Sequence, residues 1–202
     1  MAQGWAAVKV LGGLITARGI IFDAAGNLLL VESGKGITAH TLATDGSGCI
    51  ASSKTLVKLN SLNHGIVLNG TTLYASSMTN VYKWTYNSTA VSVGTTRITV
   101  VTGMYPGGHA TRTLAIPPNH PNLLVISHGS NDNFDYASAD INIGRSNVKV
   151  FDMTSTPTTG YNYVSGGRTS GYGLRNEVGL TFDPNGMCVT TSLLLQLYLI
   201  SN

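Results

Sequence analysis

Gly19-Ile20-Ile21-Phe22-Asp23-Ala24-Ala25-Gly26-Asn27-Leu28-Leu29-Leu30-Val31 is an apolar strand, an Asp-to-Gly turn and a second apolar strand, and the chain keeps returning to this unit. It recurs as Gly65-Ile66-Val67-Leu68-Asn69-Gly70-Thr71-Thr72-Leu73-Tyr74-Ala75, where Asn-Gly reads as the hairpin turn. Thr113-Leu114-Ala115-Ile116-Pro117 through Asn122-Leu123-Leu124-Val125-Ile126 repeats it with a longer Pro-Asn turn. Gly179-Leu180-Thr181-Phe182-Asp183-Pro184-Asn185-Gly186 opens a fourth copy. Its Asp-Pro-Asn-Gly suits a type I turn, with Pro presetting φ at the second position.

Anchored on Gly19, Gly65, Thr113 and Gly179, the copies start 46, 48 and 66 residues apart. Periods near the first two values, with several short strands in each, predict a β-propeller with one four-stranded blade per repeat. The longer third interval contains Gly129-Ser130-Asn131-Asp132-Asn133-Phe134-Asp135-Tyr136, a polar stretch that reads as an insertion loop. Val81 to Tyr86 and Asn147 to Phe151 alternate as half-buried outer strands do. No window sustains a helical period, so the chain reads as all-β.

The composition agrees. With 24 Gly and only 10% charged residues in 202, the chain suits strands and turns, and is long enough for a real core. The net charge of +3 comes from scattered Lys and Arg with no basic run, which argues against a nucleic-acid partner. No stretch approaches the roughly 20 apolar residues of a membrane helix. The N-terminal Met1-Ala2-Gln3-Gly4-Trp5 lacks a basic and then apolar leader, so no signal peptide is expected in this sequence. Cys49 and Cys188 match no metal spacing; one disulfide and two thiols both remain open. Asn69-Gly70-Thr71 and Asn87-Ser88-Thr89 are sequons that a secreted chain would expose to glycosylation. Four blade starts give at most four blades, and after Gly186 the turn punctuation lapses into an apolar run, Leu193 to Ile200. Residues 1–202 therefore read as one partial propeller domain with an atypical tail over 186–202.

Polar residues precede each opening strand: Arg18, then Asn63-His64, then Gly107-Gly108-His109-Ala110-Thr111-Arg112, then Leu174-Arg175-Asn176. Equivalent positions in a propeller face one axial pocket, so these residues are expected to converge there. His109 is the candidate general base, since an imidazole titrates near neutrality and the flanking glycines let a ligand come close. A loop histidine bonded to backbone is the plainer alternative. Arg175 beside Asn176 offers fixed donors for carboxylate or carbonyl oxygens, or else caps a loop. His40, His120 and His128 are assigned no role. Asn131-Asp132-Asn133-Phe134-Asp135 fails as an EF-hand, because Tyr136 stands where Gly is needed and Asn142 where the closing Glu belongs. Ser33-Gly34-Lys35-Gly36 is not a P-loop, and no G-x-S-x-G or H-E-x-x-H occurs.

Ala17-Arg18-Gly19-Ile20 with Asp23 to Gly26, Gly107-Gly108-His109-Ala110-Thr111-Arg112-Thr113-Leu114 and Gly173-Leu174-Arg175-Asn176-Glu177-Val178-Gly179-Leu180 together resemble soluble pyrroloquinoline quinone (PQQ) dependent sugar dehydrogenases. The branch they resemble is that of the fungal pyranose dehydrogenase and L-sorbosone dehydrogenase-like propellers, over about Trp5 to Gly186. The resemblance implies a six-bladed propeller holding PQQ and calcium over the channel, an extracellular location, a sugar substrate and a redox partner such as a cytochrome. It implies that His109 takes the sugar hydroxyl proton as hydride passes to the quinone, and that Arg175 and Asn176 bind the quinone oxygens. Arg18 and His64 are expected to line the same pocket, and Arg112 alternatively faces into the blade. No side chain of this chain is assigned to a metal. The family's calcium-binding carbonyls fall on a short polar segment, where this chain has Ser192 to Leu195, Ser-Leu-Leu-Leu. Together with the absence of the later basic residues that grip the PQQ carboxylates, this predicts that the chain alone binds PQQ weakly or not at all. The alternatives are a non-catalytic propeller binding a glycan or protein and, last, a metal-dependent lactonase, for which Glu32 and Glu177 are the only glutamates.

Overall fold

The structure, a computed structural model, describes residues 3–186 and 188–192. Among these, three antiparallel blades and the first hairpin of a fourth follow one another. The first blade is β1 (Ala17–Phe22), β2 (Leu28–Glu32), β3 (Gly36–Leu42) and β4 (Ile50–Lys58), paired in chain order. The second is β5 (Leu62–Asn69), β6 (Thr72–Ser77), β7 (Val81–Asn87) and β9 (Ile98–Thr102), with the two-residue β8 (Ser92–Val93) folding back on β7. The third is β10 (Leu114–Ala115), β11 (Leu123–His128), β12 (Asn147–Asp152) and β14 (Arg168–Tyr172). The fourth opens with β15 (Glu177–Phe182) against β16 (Cys188–Ser192).

The apolar second strands of the first three repeats, β2, β6 and β11, are buried along nearly their whole length, whereas β1 leaves Ile20 and Phe22 exposed. Along β6, Leu73 and Ala75 pack in the core between the first two blades, while Tyr74 points the other way into the core between the second and third. Along β11, Leu124 and Ile126 face the second blade and Val125 faces the fourth, with Leu180 and Phe182 packed beside it. Side chains alternate across a strand, so a blade sandwiched between neighbours needs apolar residues at every position. That is why Leu123-Leu124-Val125-Ile126 reads as a continuous run.

Adjacent blades meet closely around the axis. A Cβ on Gly65 would lie 2.2 Å from the Arg112 carbonyl oxygen, and one on Gly19 would lie 2.2 Å from that of His64. Glycine lets each opening strand lie against the entry of the next. A serine then bridges the gap twice. Ser76 Oγ accepts from Gly65 N–H and donates to the Arg112 carbonyl, both at 2.8 Å. One blade later, Ser127 Oγ accepts from Thr113 N–H and donates to the Glu177 carbonyl, both at 3.1 Å. At the first interface Val31 occupies the corresponding register position.

Three features differ from the repeat-based expectation. The β5–β6 turn of the second blade shifts by one: Asn69 pairs with Thr72, so Gly70-Thr71 form the loop, with positive φ at Gly70 and not at Thr71, as a type II′ turn requires. A short strand, β13 (Tyr161–Asn162), leaves the third repeat to pair in parallel with β9 of the second blade. Tyr163 beside it is fully buried in the core between the two blades. Finally, 188–192 is a strand, so the repeat continues past Gly186. The Asp183–Gly186 turn closes with a hydrogen bond from Gly186 N–H to the Asp183 carbonyl at 2.9 Å. Residues 193–202, including the apolar run from Leu193 and most of the expected calcium segment, lie outside the described residues. Cys49, exposed, and Cys188, half-buried, are both free thiols.

Candidate functional site

The four opening strands line one cavity of about 480 Å³, with contributions from residues 18–21, 64–67, 113–116 and 178–182. Arg18 and His64 stand at its rim, and no carboxylate side chain lines it. His64 Nε2–H donates to the Val178 carbonyl at 3.3 Å, while its buried Nδ1 has no hydrogen-bond partner. Burial lowers the His64 pKa, and the Arg18 charge lowers it further. Both effects favour the neutral ring, and the contacts favour the tautomer with the proton on Nε2.

His109 and Arg175 form a second group, brought together by the insertion between β11 and β12. Ser130, which is completely buried, is its hub. His109 N–H donates to the Ser130 carbonyl at 2.9 Å. His109 Nδ1 lies 3.1 Å from that same carbonyl and 3.0 Å from Ser130 Oγ. A carbonyl only accepts, and the Ser130 hydroxyl proton goes to the Asp132 carbonyl at 2.7 Å. Nδ1 must then carry the proton, which leaves Nε2 as the basic nitrogen. Ser130 N–H donates to the Arg175 carbonyl at 2.8 Å, and the Arg175 guanidinium bonds Asn133 Oδ1. Gly108, at φ +66°, lies so close to Asn131 that a Cβ would meet its carbonyl oxygen at 2.2 Å. The loop itself is pinned by two 2.8 Å bonds from Arg145 to Asp135, and Arg145 lies over the Tyr105 ring at 4.9 Å.

Residues 175–178 join the two groups. Asn176 Oδ1 accepts from Thr111 Oγ1 at 2.6 Å, which turns its amide so that the NH₂ donors are left over. The Glu177 carbonyl accepts from Thr113 Oγ1 at 2.9 Å, and the Val178 carbonyl accepts from His64. One strand entry therefore touches the entries of both preceding blades.

Of the residues expected to converge, Arg18 and His64 line the cavity, whereas His109, Arg175 and Asn176 cluster beside it. Arg112 faces away. It is fully buried inside the blade and donates four hydrogen bonds to backbone carbonyls, to Met78 at 3.1 Å, His109 at 2.7 Å, Thr111 at 2.9 Å and Tyr105 at 2.5 Å. His128 is buried beneath the same loop. Its Nδ1–H donates to the Gly129 carbonyl at 2.8 Å, and its Nε2 accepts the Tyr105 N–H at 3.0 Å. Ser130, Asn133 and Thr111 are partners of the candidate residues that sequence reasoning missed; the insertion stretch was visible, but not that it folds back onto residues two dozen or so positions before it. Among the described residues no three His, Cys, Asp or Glu side chains gather as a metal site.

Successive blades opening on a shared axial cavity, with His, Arg and Asn side chains at the entries, define the chain as part of a β-propeller with its polar site at the channel mouth. A family profile described as TrAA12-like matches residues 1–192. A PQQ-dependent pyranose dehydrogenase from Coprinopsis cinerea is 43% identical over 189 residues, which cover 92% of this chain and 26% of the relative. A PQQ-dependent sugar dehydrogenase from Hypocrea jecorina is 36% identical over 190 residues, covering 91% and 44%. The holo form of the pyranose dehydrogenase PQQ domain from C. cinerea superposes with a TM-score of 0.86 at 43% identity, over 90% of this chain and 44% of that one. The chain belongs to the TrAA12-like family. It spans less than half the length of these curated relatives.

Proposed function

We propose that the intact protein containing this chain oxidises a sugar at the channel mouth with PQQ as cofactor, and that His109 is the general base. The observation that carries this reading is the placing of His109 Nδ1 against the Ser130 carbonyl and hydroxyl, an arrangement that favours the proton on Nδ1 and leaves Nε2 as acceptor. A base needs that arrangement before the substrate arrives. When bound, the quinone supplies the two-electron acceptor for the hydride of the carbinol carbon.

The chain's own residues do the rest. His109 Nε2 accepts the sugar hydroxyl proton as the carbon loses hydride, so the alcohol becomes a carbonyl. The resulting imidazolium keeps its Nδ1–H on the Ser130 carbonyl, which stabilises the charge it gains. Arg175 and the Asn176 amide N–H groups present donors to an anionic, oxygen-rich ligand. Arg18 adds positive charge at a rim without carboxylates, which suits a polyanionic cofactor. His64, whose pKa is lowered by burial and by the Arg18 charge, does not add a second cation. Calcium, an extracellular location and a redox partner such as a cytochrome belong to this reading through the family alone. Among the described residues no helix is long and apolar enough to cross a membrane.

His109→Ala in the intact, PQQ-loaded protein should lower sugar-dependent dye reduction by about 100-fold or more, the range of a lost general base, with PQQ affinity little changed. Arg175→Ala should instead raise the PQQ concentration needed for half-saturation. A propeller that only binds a glycan would keep that binding in both variants and reduce no dye. Unchanged turnover in His109→Ala would overturn the assignment of the base.

A further inference from the structure

We propose that Asn87, and not Asn69, carries an N-linked glycan when the protein passes through the secretory pathway. Both residues begin a sequon, Asn69-Gly70-Thr71 and Asn87-Ser88-Thr89, and the fold places both on the rim opposite the candidate site. β5 runs from His64 at the mouth to Asn69, β6 returns, and β7 runs away again to end at Asn87. The two side chains nonetheless differ at the atom that the modification needs.

Asn69 is half-buried, and its Nδ2 donates to the Pro121 carbonyl at 2.6 Å. That bond ties the β5–β6 turn of the second blade to the β10–β11 turn of the third. A sugar on Nδ2 would have to share the space in which that nitrogen meets the neighbouring blade. Asn87 is exposed, at the end of β7 where the chain turns through 88–91 into β8. There the side-chain carbonyl does the structural work, Oδ1 accepting Ala90 N–H at 2.8 Å. The amide is held by its oxygen, and Nδ2 has no hydrogen-bond partner among the described residues. Thr89 is exposed as well. The turn is anchored from below by Asn27 Nδ2, which donates to the Ser88 carbonyl at 3.2 Å. A glycan at Asn87 disturbs no contact within or between blades, and it covers the rim away from His64 and His109 while leaving the mouth open.

The occurrence of this glycan in nature rests on the extracellular reading; the competence of the site does not, and its readout is mass rather than turnover. The intact protein is secreted from yeast behind an added secretion signal. It is then treated with peptide-N-glycosidase in H₂¹⁸O, which labels each formerly glycosylated Asn as Asp. Thr89→Ala and Thr71→Ala remove one sequon each without touching either amide. The expected result is label at Asn87 in the wild type and in Thr71→Ala, loss of that label in Thr89→Ala, and none at Asn69. Secreted, folded protein without label at Asn87, or with Asn69 labelled to the same extent, would overturn the proposal.

Discussion

A guanidinium with no exposed surface holds the loop that carries His109. Arg112 forms no ion pair among the described residues; four of its five N–H donors go to the carbonyls of 78, 105, 109 and 111. Burial lowers its pKa to about 10, so it stays charged at neutral pH. Arg112→Met keeps most of the volume but strands those carbonyls, and should cost about 3 kcal/mol or more in urea denaturation, since each buried acceptor left unpaired costs roughly 1–3 kcal/mol. His128, below the same loop, gives a pH dependence. Burial pushes its pKa down to about 3, helped by the Arg112 charge, against an ordinary value near 6.5. Between those values the unfolded chain binds a proton that the folded one refuses. Stability is therefore fully present above about pH 6.5 and falls as pH drops toward 3, by up to ~1.4 kcal/mol per pH unit from this residue. His128→Gln should flatten that part of a stability-against-pH curve; an unchanged slope would show that another group is responsible.

At the scale of the element, the Gly and Ser of successive blades act as a repeated joint. Ser76→Ala and Ser127→Ala each remove an oxygen that both receives from its own blade and gives to the next, and each should cost about 1–2 kcal/mol. Gly65→Ala should cost more than either, because its Cβ meets the Arg112 carbonyl, a backbone atom that moves only if the blades separate. A thermal melt within a degree of wild type for Gly65→Ala would mean that the close approach is not needed. The blade starts at Gly19, Gly65 and Thr113 were legible in the sequence because the buried strand that follows each, β2, β6 or β11, leaves an unbroken apolar run after a turn, and the start at Gly179 because the same strand-and-turn unit returns there. The entry residues were legible as a set because equivalent repeat positions share a neighbourhood. The roles of Ser130 and Thr111 were not, because each meets its partner through a fold-back or across a blade boundary, and a serine in a polar loop carries no periodic signal. The β13 crossover was hidden for the same reason: two residues, Tyr161 and Asn162, are too short a strand to show a pattern.

The described residues form three blades and the start of a fourth, with a polar site where the strand entries of the later blades meet. Its sequence covers between a quarter and a half of its curated relatives. The proposed division of labour follows the geometry: His109 is oriented by Ser130, Arg175 and Asn176 are brought in by β15, and Arg18 and His64 border the axial cavity. The most direct test is a PQQ titration of the intact protein in the presence of calcium, followed by aldose or ketose oxidation with a redox dye. The account predicts saturable dye reduction that requires both PQQ and sugar. Saturable PQQ binding without turnover on any sugar, or dye reduction independent of PQQ, would contradict it.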